Sequence, residues 1–168
     1  MTAQPSGAST TLPSTPQDIA DLCAQQRRLT LPTFTYDDAW ELGVLLVRLA
    51  REREAPVAIG IRRGPQRVFH AALPGSSADN DAWLERKRRV VERYGESSLL
   101  VGARFRAKGS TFEQSSRLDP DRYAAHGGAF PLLVAGVAGV VGTVAVSGLP
   151  QTEDHALVVA ALEHFAGQ

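Results

Sequence analysis

Apolar residues recur at helical spacing in two segments near the start of the chain. The first segment begins at Thr15, and Pro16 takes the first helical position, where a missing N–H costs nothing. The second begins at Thr35, because Thr35 and Asp38 have the spacing of a capping box, with Asp in place of the usual Glu. These patterns predict two helices. The same periodicity places Trp40 in the core as an anchor.

Two strands are expected next. The segments Val57–Ile61 and Arg67–Leu73 are short and rich in β-forming residues, and Gly64-Pro65 lies between them. This arrangement predicts a β-hairpin. We interpret His70, in the second strand, as a structural histidine with a hydrogen-bond partner.

Two further helices are expected after the hairpin. One runs from about Asp79 to Tyr94, and Gly95 is suited to end it in a left-handed conformation. The other is capped by Ser97 or Ser98 and continues to about Ala107.

The last third of the chain is the most apolar. Leu132–Ala135 and Val140–Ser147 predict a second hairpin, whose Val- and Ala-rich second strand is expected to be buried on both faces. A final helix is predicted to start near Gln151. Four of its residues are expected to face the core: Ala156, Val159, Ala160 and Leu162.

The order of these elements predicts the fold class. Hairpins without alternating strand–helix–strand units indicate an α+β domain in which helices pack on an antiparallel sheet. The glycine fingerprint Gly-x-Gly-x-x-Gly is absent from every predicted strand–helix junction, which argues against a dinucleotide-binding fold. We expect one domain over residues 15–168. Residues 1–14, rich in Ser, Thr, Pro, Ala and Gly, are predicted to form a disordered tail.

Composition narrows the classes of partner. Eighteen basic residues balance eighteen acidic ones, so nucleic acid is not an expected partner. No apolar run approaches the roughly 20 residues that span a bilayer, and no signal-peptide pattern opens the chain, so we expect a cytoplasmic protein with no membrane partner. The single cysteine, Cys23, excludes an intrachain disulfide, and we interpret it as a small buried apolar residue. The charged run Glu85–Arg89 is interpreted as a solvated helix face or an ion-pair surface between subunits, with anion or nucleic-acid binding as the alternative.

His126-Gly127-Gly128 is the first candidate site. Paired glycines allow positive φ angles and expose backbone N–H groups, while a histidine beside them can bind a metal, contact an anion or transfer protons near neutral pH. The alternative is a structural turn in which His126 is stacked or hydrogen-bonded.

Ser147 and Gly148 form the second candidate site, at a strand end that leads into Asp154 and His155. Strand ends beside helix N-termini often hold ligands, but a capped loop would have the same sequence. His155 is left open as either an exposed helix residue or a pocket residue. Serine hydrolase, metalloprotease and covalent-haem motifs are all absent from the chain.

Three segments together resemble a known family: His126–Pro131, Gly139–Gln151 and the pair Asp154-His155. The combined pattern resembles the GlcG/HbpS-like proteins that carry a "haem-degrading domain" label, over Leu31 to Phe165. The resemblance implies a profilin-like or PAS-like domain and a homo-oligomer built from dimers. Some members of this family bind haem or take part in its breakdown.

The resemblance also implies where a ligand would bind. The residues of this chain that match its motifs are His126, Gly127, Gly128, Phe130, Ser147, Gly148 and His155. Among them, His126 is the candidate haem iron ligand or proton donor.

Three hypotheses follow from the sequence. The first is a homo-oligomeric protein that binds haem or a related small ligand, with a role in haem degradation or in iron and haem homeostasis. The second is an enzyme without haem, in which His126 is a general acid/base and the amides of Gly127 and Gly128 bind an anion. The third is an oligomeric scaffold without catalysis.

Overall fold

Six helices and four strands make up the part of the chain that the computed structural model describes, residues 11–167. Of the predicted tail, residues 1–10 lie outside the described residues, as does Gln168. In chain order the elements are α1 Pro16–Arg28, α2 Tyr36–Glu52, β1 Ala58–Arg63, β2 Gln66–Ala72, α3 Ala78–Tyr94, α4 Ser98–Ala107, α5 Phe112–Ser115, β3 Ala129–Leu132, β4 Gly142–Ser147 and α6 Gln151–Ala166.

The strands form one antiparallel sheet in the order β2-β1-β4-β3. Ala58 in β1 pairs with Ala72 on one side and with Ser147 on the other. The α+β class predicted from the sequence is therefore confirmed, as is the first hairpin. Within residues 11–167, no helix has both the length and the apolar character needed to cross a bilayer.

Local capping signals define the helix boundaries. Thr15 and Thr35 each accept a hydrogen bond from the N3 amide, and an N3 aspartate accepts one from the cap amide, so both capping boxes form. Gly95 ends α3 with a φ of 71°, and the Ser97 hydroxyl accepts a hydrogen bond from the Leu100 amide at the start of α4. These helix ends agree with the sequence prediction.

The two faces of the sheet carry side chains of different size. Branched residues of β1 and β4 pack against α2 and α6 and form the main core: Ile59, Ile61, Val144 and Val146. The opposite face carries small residues beneath α3: Ala58, Gly60, Ala129 and Ala145. Small residues let α3 approach the sheet closely, and every residue of β4 is buried, as predicted.

Strand β3 begins earlier than the sequence predicted. It runs from Ala129 to Leu132 and therefore includes Pro131, which was placed before the strand. The reason is topological, because β3 is an edge strand and a proline without an N–H is tolerated there.

Three predictions of buried residues were wrong. Trp40 is 62% exposed and packs edge-on against Phe69, with ring centroids 5.8 Å apart, so it is not a core anchor. Ala156 is exposed on α6. Cys23 is half-buried rather than a buried apolar residue, because its Sγ accepts a hydrogen bond from Arg104 at 3.4 Å. His70 does have its predicted partner, since its Nε2 lies 2.7 Å from Asp81 Oδ1.

Candidate functional site

A cleft of about 240 Å³ lies where α3 meets the start of α6. Three sets of residues line it. Helix α3 supplies Asn80, Trp83 and Lys87, and the loop before β3 supplies His126. The third set comes from the end of β4, the β4–α6 connection and the first turn of α6: Ser147, Gly148, Leu149, Gln151 and Asp154. The cleft therefore joins both candidate sites from the sequence.

A buried ion pair forms the floor of this cleft. Lys87 is 3% exposed and Asp154 is 1% exposed, and Lys87 Nζ lies 3.0 Å from Asp154 Oδ2. Lys87 also donates to the Val146 carbonyl at 3.1 Å. The Leu149 amide donates to Asp154 Oδ1 at 3.0 Å. The pair thus ties together α3, β4 and α6.

Burial acts on both partners of the pair. It lowers the pKa of Lys87 and raises the pKa of Asp154, because desolvation disfavours each charged form. The mutual attraction of the two charges opposes both shifts, and the amides of Leu149 and Gly148 further support the Asp154 carboxylate. A pair held in this way is rigid and costly to break from one side.

His126 lies at the mouth of the cleft with its side chain 40% exposed. Its ring is tilted against Trp83 with centroids 5.0 Å apart, and the Arg86 guanidinium lies 4.1 Å above the Trp83 ring. Burial lowers the pKa of His126, an effect that nearby Glu113 opposes. The positive charges of Lys87 and Arg86 lower this pKa as well, so the surroundings favour the neutral imidazole. Its Nε2 is 3.6 Å from Glu113 Oε1, longer than an ordinary hydrogen bond.

The two glycines after His126 pack the loop over the ion pair. A Cβ on Gly128, whose φ is 131°, would collide with the Val146 carbonyl and lie 2.7 Å from Lys87 Nζ. The Gly127 amide donates to Gln151 Oε1 at 3.0 Å. This amide is therefore already occupied, and the second sequence hypothesis loses one of its two anion donors.

Phe130 and His155 lie away from the cleft. Phe130 is buried in β3, and its ring centroid is 5.9 Å from that of His155. His155 is 5% exposed, and its Nε2 lies 2.8 Å from Gln25 Oε1 of α1. Burial lowers the pKa of His155 to about 4. The structure thus brings His126, Ser147 and Gly148 together in the cleft, with Gly127 and Gly128 packed behind them. Phe130 and His155 do not line the cleft.

The sequence interpretation missed Lys87, which it grouped with a solvated or inter-subunit charged face. Within that run, Glu85 pairs with Arg62 and Arg88, and Arg88 also pairs with Glu92. The other two arginines, Arg86 and Arg89, donate to the backbone carbonyls of Pro120 and Arg122. A usable signal did exist, because Leu84, Lys87 and Val91 share one face of α3 and all three are buried. Among residues 11–167, no group of three or more His, Cys, Asp or Glu side chains is arranged to hold a metal ion.

A comparison with family models defines the class of protein. The model described as "Haem degrading protein HbpS-like" matches residues 34–163, and this chain belongs to that family. A UPF0303 protein from Streptomyces avermitilis is 76% identical over 150 residues, which cover 89% of this chain and 91% of the relative. A UPF0303 protein from Streptomyces coelicolor is 70% identical over 158 residues, covering 94% of this chain and 99% of the relative.

Solved structures support the same assignment. The crystal structure of Ybr137w protein has a TM-score of 0.82 and 35% identity, and the match covers 89% of this chain and 87% of that one. The crystal structure of the PduOC:Heme complex has a TM-score of 0.65 and 16% identity, with coverage of 78% and 94%. That of HbpS has a TM-score of 0.62 and 17% identity, with coverage of 80% and 91%. The last two similarities show the fold alone.

Proposed function

We propose that this chain binds haem at the mouth of the cleft, with His126 as the iron ligand. The observation that carries the proposal is the position of His126 at the mouth of the cleft beside Trp83. Its lowered pKa favours the neutral ring, which is the form that binds metals. The family description names haem, and one structural relative is a haem complex, which supports haem as the ligand to test.

The dimensions of the cleft set how haem would fit. At about 240 Å³ the cleft is below the range of about 300–1,000 Å³ that encloses drug-sized ligands, and most of its lining side chains are polar. In this proposal Trp83 would offer the porphyrin an aromatic surface, and Arg86 would offer a positive charge to a propionate.

The proposal concerns binding of haem by a cytoplasmic homo-oligomer. When bound, haem would supply an iron centre capable of oxygen chemistry, and the residues of this chain hold and orient the group. His126 provides the nitrogen ligand, and the ion pair beneath it keeps the β4–α6 connection in place.

The test is a haemin titration of the purified protein at pH 7, followed by the Soret and visible bands. We expect saturable one-to-one binding with a Soret band that shifts and weakens in His126→Ala. The matched control is His164→Ala, which removes an exposed histidine near the end of α6 and leaves the spectrum unchanged. Identical spectra for wild type and His126→Ala would remove His126 as the ligand. Broad, non-saturating absorption would reject haem binding.

A further inference from the structure

The floor of the cleft holds hydrogen-bond donors that the protein does not satisfy. A lysine ammonium has three protons to donate. Lys87 gives one to Asp154 Oδ2 and one to the Val146 carbonyl, and the third has no partner among residues 11–167. Lys87 is 3% exposed and lines the cleft, so a further acceptor can reach the ammonium from the cleft.

Ser147 provides a second donor at the same place. The residue is 4% exposed and lines the cleft, yet its hydroxyl makes no hydrogen bond with any residue that the structure describes. This hydroxyl is therefore free to pair with a ligand in the cleft.

Two amide groups add further donors. The side-chain oxygen of Gln151 accepts from the Gly127 amide, and that of Asn80 accepts from the Ser77 amide. These bonds fix which end of each side chain is oxygen, and the two NH₂ groups remain without partners in the described chain. The one carboxylate on the floor, Asp154, already accepts from Lys87 and from two backbone amides.

We propose that this floor is a binding site for a small carboxylate, held by the Lys87 ammonium, the Ser147 hydroxyl and the Gln151 amide. Unpaired donors around a buried cation select a ligand with acceptor atoms and negative charge. The volume of about 240 Å³ suits a molecule of a few heavy atoms. This inference goes beyond the proposed haem binding, because it requires neither iron nor His126 as a ligand.

The test uses acetate as the probe and acetamide as its neutral isostere, with binding followed by ligand-observed NMR line broadening at pH 7. We expect saturable binding of acetate to the wild type and at least about tenfold weaker binding of acetamide. Equal binding of the two probes, or no saturable binding of acetate, would overturn the proposal.

Two variants test the assigned residues. Gln151→Glu keeps an acceptor for the Gly127 amide but replaces the free NH₂ with a negative oxygen, so acetate binding should fall by at least about tenfold. Its control is Gln66→Glu, the same charge change on exposed β2, where the new side chain still accepts from Tyr36. Ser147→Ala should weaken binding about threefold or more without loss of stability. Unchanged acetate affinity in both cleft variants would overturn the proposal.

A free acid and a haem propionate carry the same carboxylate, and competition separates them. Displacement of acetate by haemin but not by haemin dimethyl ester assigns the floor to a propionate. Retention of acetate in the presence of both assigns it to a free small acid, and either result supports the carboxylate site. Acetate binding without haem binding removes only the proposed function, whereas haem binding without acetate binding removes only this inference.

Discussion

The buried pair between Lys87 and Asp154 gives the sharpest prediction. Asp154→Asn keeps a side-chain oxygen for the Leu149 amide but removes the charge 3.0 Å from Lys87 Nζ. Lys87 then remains a cation that is 3% exposed, with the Val146 carbonyl as its remaining acceptor. The substitution therefore removes the charge with little change of volume, and the new NH₂ group replaces the oxygen that accepted from Lys87 and Gly148.

The expected cost follows from burial. Removing one partner of a buried ion pair costs about 3–5 kcal/mol. We expect the lower end, about 3 kcal/mol, because burial already lowers the pKa of Lys87 and the amine can escape the penalty by losing its proton. For a chain of this size, about 3 kcal/mol corresponds to a fall in Tm of roughly 6–12 °C.

Urea unfolding at pH 7 measures this free energy, and a double variant tests its origin. Lys87→Met combined with Asp154→Asn should recover part of the loss, because no unpaired charge then remains. Asp81→Asn is the matched control, since Asp81 pairs with His70 in a half-exposed position and should cost less than about 1 kcal/mol. A loss below about 1 kcal/mol in Asp154→Asn, or strict additivity in the double variant, would refute the reasoning.

Two other predictions concern stability. Burial lowers the pKa of His155 to about 4 from an ordinary 6.5. The contribution of the neutral imidazole to the free energy of unfolding is therefore present above pH 6.5 and is lost as the pH falls toward 4. From pH 7 to 5 the free energy of unfolding, measured with urea, should fall by about 2 kcal/mol more in the wild type than in His155→Gln. The exposed control His164→Gln should follow the wild type. An equal dependence on pH in wild type and His155→Gln would contradict this prediction. Gly128→Ala should cost at least about 2 kcal/mol through its φ of 131° and its collision with the Val146 carbonyl. Gly109→Ala, whose added Cβ meets open space, should cost less in the same assay, and equal losses would rule out the collision.

Local signals in the sequence predicted five of the six described helices and the first hairpin well, but not the short helix α5, Phe112–Ser115. Thr35, Gly95 and Ser97 act within a few residues of their own position, so their capping roles are visible in the sequence alone. Trp40 was placed wrongly because helical spacing identifies a face but not how far the core extends around it.

The candidate site was predicted only in part, because its centre depends on contacts between distant segments. His126 and Ser147 were identified from glycine-rich motifs, and both line the cleft. Lys87 appeared as one charge in a basic run, and its burial follows from a partner, Asp154, that only the folded chain brings near. The orientation of His155 toward Gln25 likewise depends on where α1 packs.

The order of the strands also has a consequence for how the chain folds as it is synthesised. The central pairing of the sheet joins Ala58 to Ser147 and Arg63 to Gly142, so its two strands come from distant parts of the chain. A nascent chain that has not reached β4 can form the β1–β2 hairpin, but Ile59 and Ile61 then lack their neighbours Val144 and Val146. Completion of the core must wait for the last quarter of the chain, which favours slow folding and leaves an exposed β1 edge during translation.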